Sequence, residues 1–131
     1  VYHKTLNYGD CILEKRAAAV AGINEKIFIN TKGQISEGTV CNVFFVRKNM
    51  IYTPQLSCGL LPGILREYIM ERFQVTETII YPDELMYYEE CFVTNSLMGV
   101  MPVRQLGNIC FPHRVKADEV REIYEKEKMS L

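Results

Sequence analysis

The chain has little that would place it at a membrane, on nucleic acid or in a disulfide-stapled scaffold. Lysine and arginine (15) nearly balance aspartate and glutamate (16), leaving a net charge of −1. That balance excludes the basic surface used by nucleic-acid binders and by proteins held on anionic membranes. No apolar run approaches the length needed to cross a bilayer, and the first residues lack the apolar stretch of a signal peptide. Its five cysteines, Cys11, Cys41, Cys58, Cys91 and Cys110, are odd in number and none forms a CxxC pair. This argues against a disulfide framework and against a zinc site. Scattered single cysteines are usually buried hydrophobes of a reducing compartment, so the expected location is cytoplasmic. Repeats, low-complexity segments and the regular strand–helix alternation of a parallel sheet are absent too.

What is present suffices for one domain. The 131 residues are 48% hydrophobic, enough to bury one sizeable core. The chain starts at Val1 without a methionine, and the expectation is a piece of a longer protein.

Local patterning divides the chain into short elements. An apolar face and an Ala-rich run predict a helix over residues 6–21, stopped by Gly22. Residues 26–30 read as a strand and residues 31–33 as a turn, with a return through Gln34 to Glu37. Residues 40–46 form a strongly apolar strand, Lys48 and Asn49 a turn, and residues 51–53 the strand that pairs back. This predicts a meander of hairpins, which could close into a barrel. After a loop over residues 54–61, Pro62 and Gly63 open a helix running to about Phe73. Residues 75–81 read as a strand, 82–85 as one helical turn, and 91–94 and 100–106 as strands, with a turn at Gly107 and Asn108. Residues 115–128 form a charged amphipathic helix, a solvated face with a narrow apolar side. The expected class is α+β, mostly antiparallel and barrel-like, with helices packed on the sheets.

Four segments can carry chemistry, though each alone also has an ordinary structural role. Lys4 precedes the first element; a lone lysine is usually a solvated charge, and imine chemistry needs it held beside a carbonyl. Glu37 leads into a very apolar strand, where an unpaired carboxylate is costly and calls for a partner. The run Leu60–Arg66 enters a helix, whose unpaired first N–H groups make an anion site. Thr94, Asn95 and Ser96 put small polar side chains at the end of an apolar strand, as a turn or as further donors to the same anion.

Taken in order, the segments resemble a known family. The lysine before "LNY", the strand "SEGTVCNVFFV", the "TP" after it, "GILR" opening a helix and "TNSLMGVMPV" resemble the fold-type-IV pyridoxal-phosphate enzymes, the class-IV aminotransferases and 4-amino-4-deoxychorismate lyases. The resemblance runs from about Lys4 to Leu106. It implies the large C-terminal domain of the D-amino acid aminotransferase-like fold, with pyridoxal 5'-phosphate as cofactor and a small amino compound as substrate. Lys4 matches the Schiff-base lysine, and Glu37 the carboxylate at the pyridine nitrogen. Tyr8 matches a tyrosine near the cofactor phenolate in branched-chain members. The backbone N–H groups of Ile64 and Leu65 match the helix start that holds the phosphate. Ser96 matches a phosphate-binding threonine, with Asn95 beside it.

The resemblance also implies a smaller N-terminal domain before the lysine and a homodimer. That domain supplies a phosphate-binding arginine and pocket residues, so this chain alone is expected to fold but to turn over poorly. Leu65 stands where many aminotransferases have threonine. Together with "NSLMGVMPV", it tilts the resemblance toward a lyase making 4-aminobenzoate and pyruvate for folate synthesis. Tyr8 tilts it toward the alternative, an aminotransferase of branched-chain or D-amino acids. A non-catalytic domain of the same fold is disfavoured by having both Lys4 and Glu37.

Overall fold

The structure is a computed structural model that describes residues 6–13, 24–29, 34–38, 42–55, 64–95 and 99–129, some of them by their backbone alone. The order is β1 (Leu6–Leu13), β2 (Asn24–Ile29), β3 (Ile35–Gly38), β4 (Asn42–Arg47), β5 (Met50–Pro54), α1 (Ile64–Arg72), β6 (Val75–Thr78), a 3-10 turn (Pro82–Tyr87), β7 (Glu90–Asn95), β8 (Gly99–Leu106), β9 (Ile109–Cys110) and α2 (Val115–Met129). The strands form one sheet in the order β3-β2-β1-β8-β7-β4-β5-β6, with β9 on β8. All pairings are antiparallel except β5 with β6, which α1 connects as a crossover. The class is α+β, as expected from the sequence.

Three local expectations are corrected. Residues 6–13, read as the start of a helix, form β1 instead; residues 14–23 lie outside the described residues. Gly9 and Asp10 are poor in a helix interior, and the segment finds strand partners on both sides, β2 and β8. Tertiary pairing then outweighs a weak local propensity. The meander also breaks: β4 pairs with β5 and β7, not with β3. Finally, the strand expected over 75–81 ends at Thr78, leaving Ile80 to enter the core.

Alternation along β4 explains its position. Val43 and Phe45 belong to one buried cluster with Ile35, Ile80, Leu85, Cys91, Val93, Val103, Leu106 and Phe111. Phe44 and Val46 face the other way, into a cluster with Ile51, Phe92 and Val100 of the sheet, Leu65 and Ile69 of α1, and Ala117 and Val120 of α2. A strand buried on both faces needs a continuous apolar run, and "NVFFV" supplies one. Each such side chain stabilises the fold by roughly 1.5–3 kcal/mol on full burial. Directly opposite each other on β4 and β7, Phe44 and Phe92 stack at 5.0 Å between ring centroids.

The turn from β4 to β5 has two residues, Lys48 (φ 52°) and Asn49 (φ 66°). Positive φ at both positions matches the right-handed twist of the flanking strands.

Candidate functional site

Two of the candidate residues lie at one level of the β3-β2-β1 part of the sheet. On β2, Ile27 pairs with Gly9 of β1 and Gly38 of β3, and Ile29 pairs with Leu6 and Ile35. Between those rungs β2 has only Phe28. β1 has two residues there, Asn7 and Tyr8, and β3 also has two, Ser36 and Glu37. Both ladders therefore carry a bulge at Phe28, one at Tyr8 and one over Ser36–Glu37. The backbones of β1 and β3 are separated by two strand spacings, about 10 Å. Bulges re-aim side chains and concentrate beside binding sites.

A second corner forms where α1 begins. Ile64, its first residue, is 85% exposed, whereas Leu65 is buried and Arg66 is 3% exposed. The Arg66 guanidinium donates from Nη2 to the Pro54 carbonyl at the end of β5 (3.1 Å) and to the Glu77 carboxylate of β6 (2.7 Å). Nearby on β5, Thr53 is buried and its hydroxyl donates to the Val43 carbonyl (2.8 Å). Across β4, Asn42 pairs with Thr94, and Asn95 pairs with Gly99 at the end of the β7–β8 ladder. Gly99 has φ 74°, a conformation that favours glycine.

Thr94 shares its face of β7 with Phe92, the face that packs on α1. Its hydroxyl is buried, at 1% exposure for the residue, and has no hydrogen-bond partner among the described residues. Buried polar groups are nearly always paired, so such an orphan, on the strand face that packs against α1, is what a multi-oxygen anion could complete. This corner accordingly fits a phosphate.

Candidate residues are thus grouped in two places. Tyr8 and Glu37 flank Phe28; Ile64 and Leu65 open α1, and Asn95 ends β7, the strand whose Phe92 shares an apolar cluster with Leu65. Along β8 the two groups are far apart, since Cys11 of β1 pairs with Leu106 and Asn95 pairs with Gly99. The shorter link runs from β3 to β4: Gly38 and Asn42 are four residues apart, at most about 14 Å. Lys4 and Ser96 lie outside the described residues. Arg66 and Thr53 were not singled out by sequence reasoning; the one signal for Arg66 is a charge placed among apolar residues of the first helical turn.

The other helix start is self-contained. A cavity of 360 Å³ lined by Val46, Asn49, Glu89, Glu90, His113 and Lys116 lies beside α2. The Glu90 carboxylate accepts the Lys116 and Ala117 N–H groups, so the chain supplies its own anion there. No cluster suited to a metal exists among the described residues.

Comparison with known proteins places this geometry in context. The family model for amino-transferase class IV matches residues 1–106. Curated relatives are mostly branched-chain aminotransferases; a probable branched-chain-amino-acid aminotransferase of Thermotoga maritima is 33% identical over 78% of this chain and 38% of its own length. Among solved structures, a putative 4-amino-4-deoxychorismate lyase from Legionella pneumophila superposes with a TM-score of 0.72 at 29% identity, over 78% of this chain and 40% of that one. A branched-chain amino acid aminotransferase from Thermobaculum terrenum, solved in its pyridoxal-phosphate form, gives 0.67 at 25% identity over 78% and 36%. The chain spans less than half the length of each of these proteins.

Proposed function

Because the chain belongs to the class IV aminotransferase family, whose members are pyridoxal-phosphate-dependent enzymes, we propose that it is the cofactor-binding part of an aminotransferase acting on branched-chain amino acids. The observation that carries this reading is the family match over residues 1–106, which includes every candidate from Lys4 to Ser96. The lean toward a lyase gives way here: relatives are mostly branched-chain aminotransferases, and the lyase is one structural neighbour.

In this reading each residue has a distinct task. Lys4 would hold the cofactor covalently through its amine and, when free, would take the Cα proton of the substrate as general base. The cofactor would supply a sink for the electrons that this proton leaves behind. Glu37 would keep a proton on the pyridine nitrogen, and Tyr8, two strands away, would serve the phenolate. The N–H groups of Ile64 and Leu65 would bind the phosphate, joined by Asn95 and Ser96. Support comes from the paired bulges at Tyr8 and Glu37 and from the orphan Thr94 hydroxyl on the strand face that packs against α1. A smaller domain before Lys4, a homodimeric assembly and a cytoplasmic location complete the proposal; no helix among the described residues is long and apolar enough to cross a membrane.

The lyase remains the second reading, favoured by Leu65 and the run "NSLMGVMPV". One experiment addresses both. The purified protein is scanned in the visible range with added pyridoxal phosphate, beside Lys4→Ala. A band in the parent that is lost in the variant is the expected result; equal bands in both would refute the role of Lys4. The protein is then given a branched-chain amino acid with a keto acid acceptor, or aminodeoxychorismate. Transfer of the amino group supports the aminotransferase, whereas pyruvate release from aminodeoxychorismate alone would make it a lyase.

A further inference from the structure

Backbone N–H groups hold an anion well only if the helix start is fixed in place. The first turn of α1 has an unusual anchor for that. Ile64 is almost fully exposed, so its side chain holds nothing. Leu65 fastens the turn to the apolar cluster that includes Phe92 and Ile69, but apolar packing is non-directional. Directional contacts come from Arg66, the third residue of the helix. Its buried guanidinium reaches the last residue of β5 and the side chain of β6 at once. These two strands are parallel neighbours, with Thr53 opposite Glu77 and Pro54 opposite Thr78. Arg66 therefore ties the helix start to the ends of the two strands that α1 connects.

A buried arginine is costly unless its charge is paired and hydrogen-bonded. Glu77 supplies the paired charge and the Pro54 carbonyl a second acceptor, while Nε has no partner among the described residues. A helix start needing only stability would be served by another leucine of similar volume, which removes that cost. A planar fork adds fixed geometry.

We propose that Arg66 is a positioning residue: with Glu77 as counter-ion, it fixes the α1 start so that the Ile64 and Leu65 N–H groups meet the cofactor phosphate. The inference rests on the cofactor reading above and adds a residue that the phosphate itself does not touch.

The test compares two ligands that differ only in the phosphate. Affinities for pyridoxal phosphate and for pyridoxal are measured by absorbance titration for the parent, Arg66→Gln and Glu77→Gln, with thermal melting alongside. Arg66→Gln is expected to weaken pyridoxal phosphate roughly tenfold or more while leaving pyridoxal nearly unchanged. Glu77→Gln, which keeps an acceptor for Arg66 at a partly exposed site, should shift the same ratio in the same direction by a smaller factor. If both ligands weaken equally, or only the melting temperature falls, Arg66 is a structural residue and the inference fails. Should Arg66→Gln not fold, Glu77→Gln decides, and an unchanged ratio there overturns the proposal. With the preceding domain present, a parent that binds neither ligand refutes the cofactor reading itself; a parent that binds both equally refutes the phosphate role of the helix start.

Discussion

At the residue scale, two buried charges set the position of the two helices. Arg66 anchors α1, and Glu90, 5% exposed, anchors α2. Glu90 belongs to β7, where it pairs with Val46, and its carboxylate takes two N–H groups of the first turn of α2, each at 3.0 Å. Helix N-termini leave such donors unpaired, and a carboxylate both satisfies them and complements the positive end of the helix. Glu90→Ala is expected to lower the unfolding free energy by about 2–3 kcal/mol, since both donors lose their acceptor at a buried site. Glu90→Gln retains one acceptor oxygen and should cost roughly half of that. Urea denaturation of the three proteins checks the order; equal stabilities would mean that water replaces the carboxylate. Its neighbour Glu89 is exposed and, among the described residues, accepts only the Lys48 N–H. Sequence alone does not separate the two glutamates; Glu90 is the first residue of β7 and is buried, whereas Glu89 precedes the strand.

At the element scale, α1 and α2 are clamped to each other over the sheet. Glu127 of α2 accepts a two-pronged contact from Arg72 and a hydrogen bond from the Tyr68 hydroxyl of α1. The Tyr68 and Tyr124 rings meet edge to face at 5.5 Å. Arg72, with help from Tyr68, holds the Glu127 carboxyl below the usual carboxylate range. Burial, then the Glu127 contact, pushes the Tyr68 phenol upward.

A carboxyl lowered in the folded state stabilises it above the unfolded value, and this contribution is lost as pH falls through the lowered one. The raised Tyr68 contributes below its unfolded value and loses that contribution as pH rises through the folded one. Glu127→Gln is therefore expected to lower the melting temperature at neutral pH. The gap to the parent should close as pH drops below the ordinary carboxylate range, around pH 4. Because Arg72 and Glu127 are solvent-accessible, high salt should also narrow the gap. A gap independent of both pH and salt would mean that packing, not charge, is what Glu127 contributes.

At the scale of the whole molecule, the sheet nearly closes on itself. Its hydrogen-bonded path is open, with β3 and β6 as the outer strands. Yet the Ile35 N–H, at the start of β3, donates to the Ile80 carbonyl just beyond β6. Inside this curve lies the cluster built on Phe45, Val93, Leu106 and Phe111, with Ile35 and Ile80 both fully buried. The sheet therefore stays open where the sequence suggested barrel-like closure, and one backbone bond, not a ladder, spans the gap. The Ile35 amide should consequently exchange with deuterium as slowly as amides in the middle of β4 and β7, since both require the core to open. Exchange at the rate of an exposed turn would show that the seam opens independently of the core.

Much of this protein was set by short stretches of its own sequence. The unbroken apolar run of β4 demanded burial on both faces, and the alternation of charge and small apolar residues in α2 placed Ala117 and Val120 against the sheet. The segments that hold Lys4, Glu37, Ile64, Leu65 and Ser96, taken in order, resemble those of one family, and that resemblance implied a cofactor. Only the tertiary structure decided that β1 is a strand, that β4 lies beside β7 instead of β3, and that Tyr8 and Glu37 sit at bulges around one residue of β2. It alone revealed that Arg66 is buried and paired with Glu77, and that the Thr94 hydroxyl has no partner among the described residues. The division has a physical cause. Propensity and hydrophobic period act over a few residues and can be read locally, whereas strand pairing and the burial of a charge depend on groups dozens of positions away in the chain.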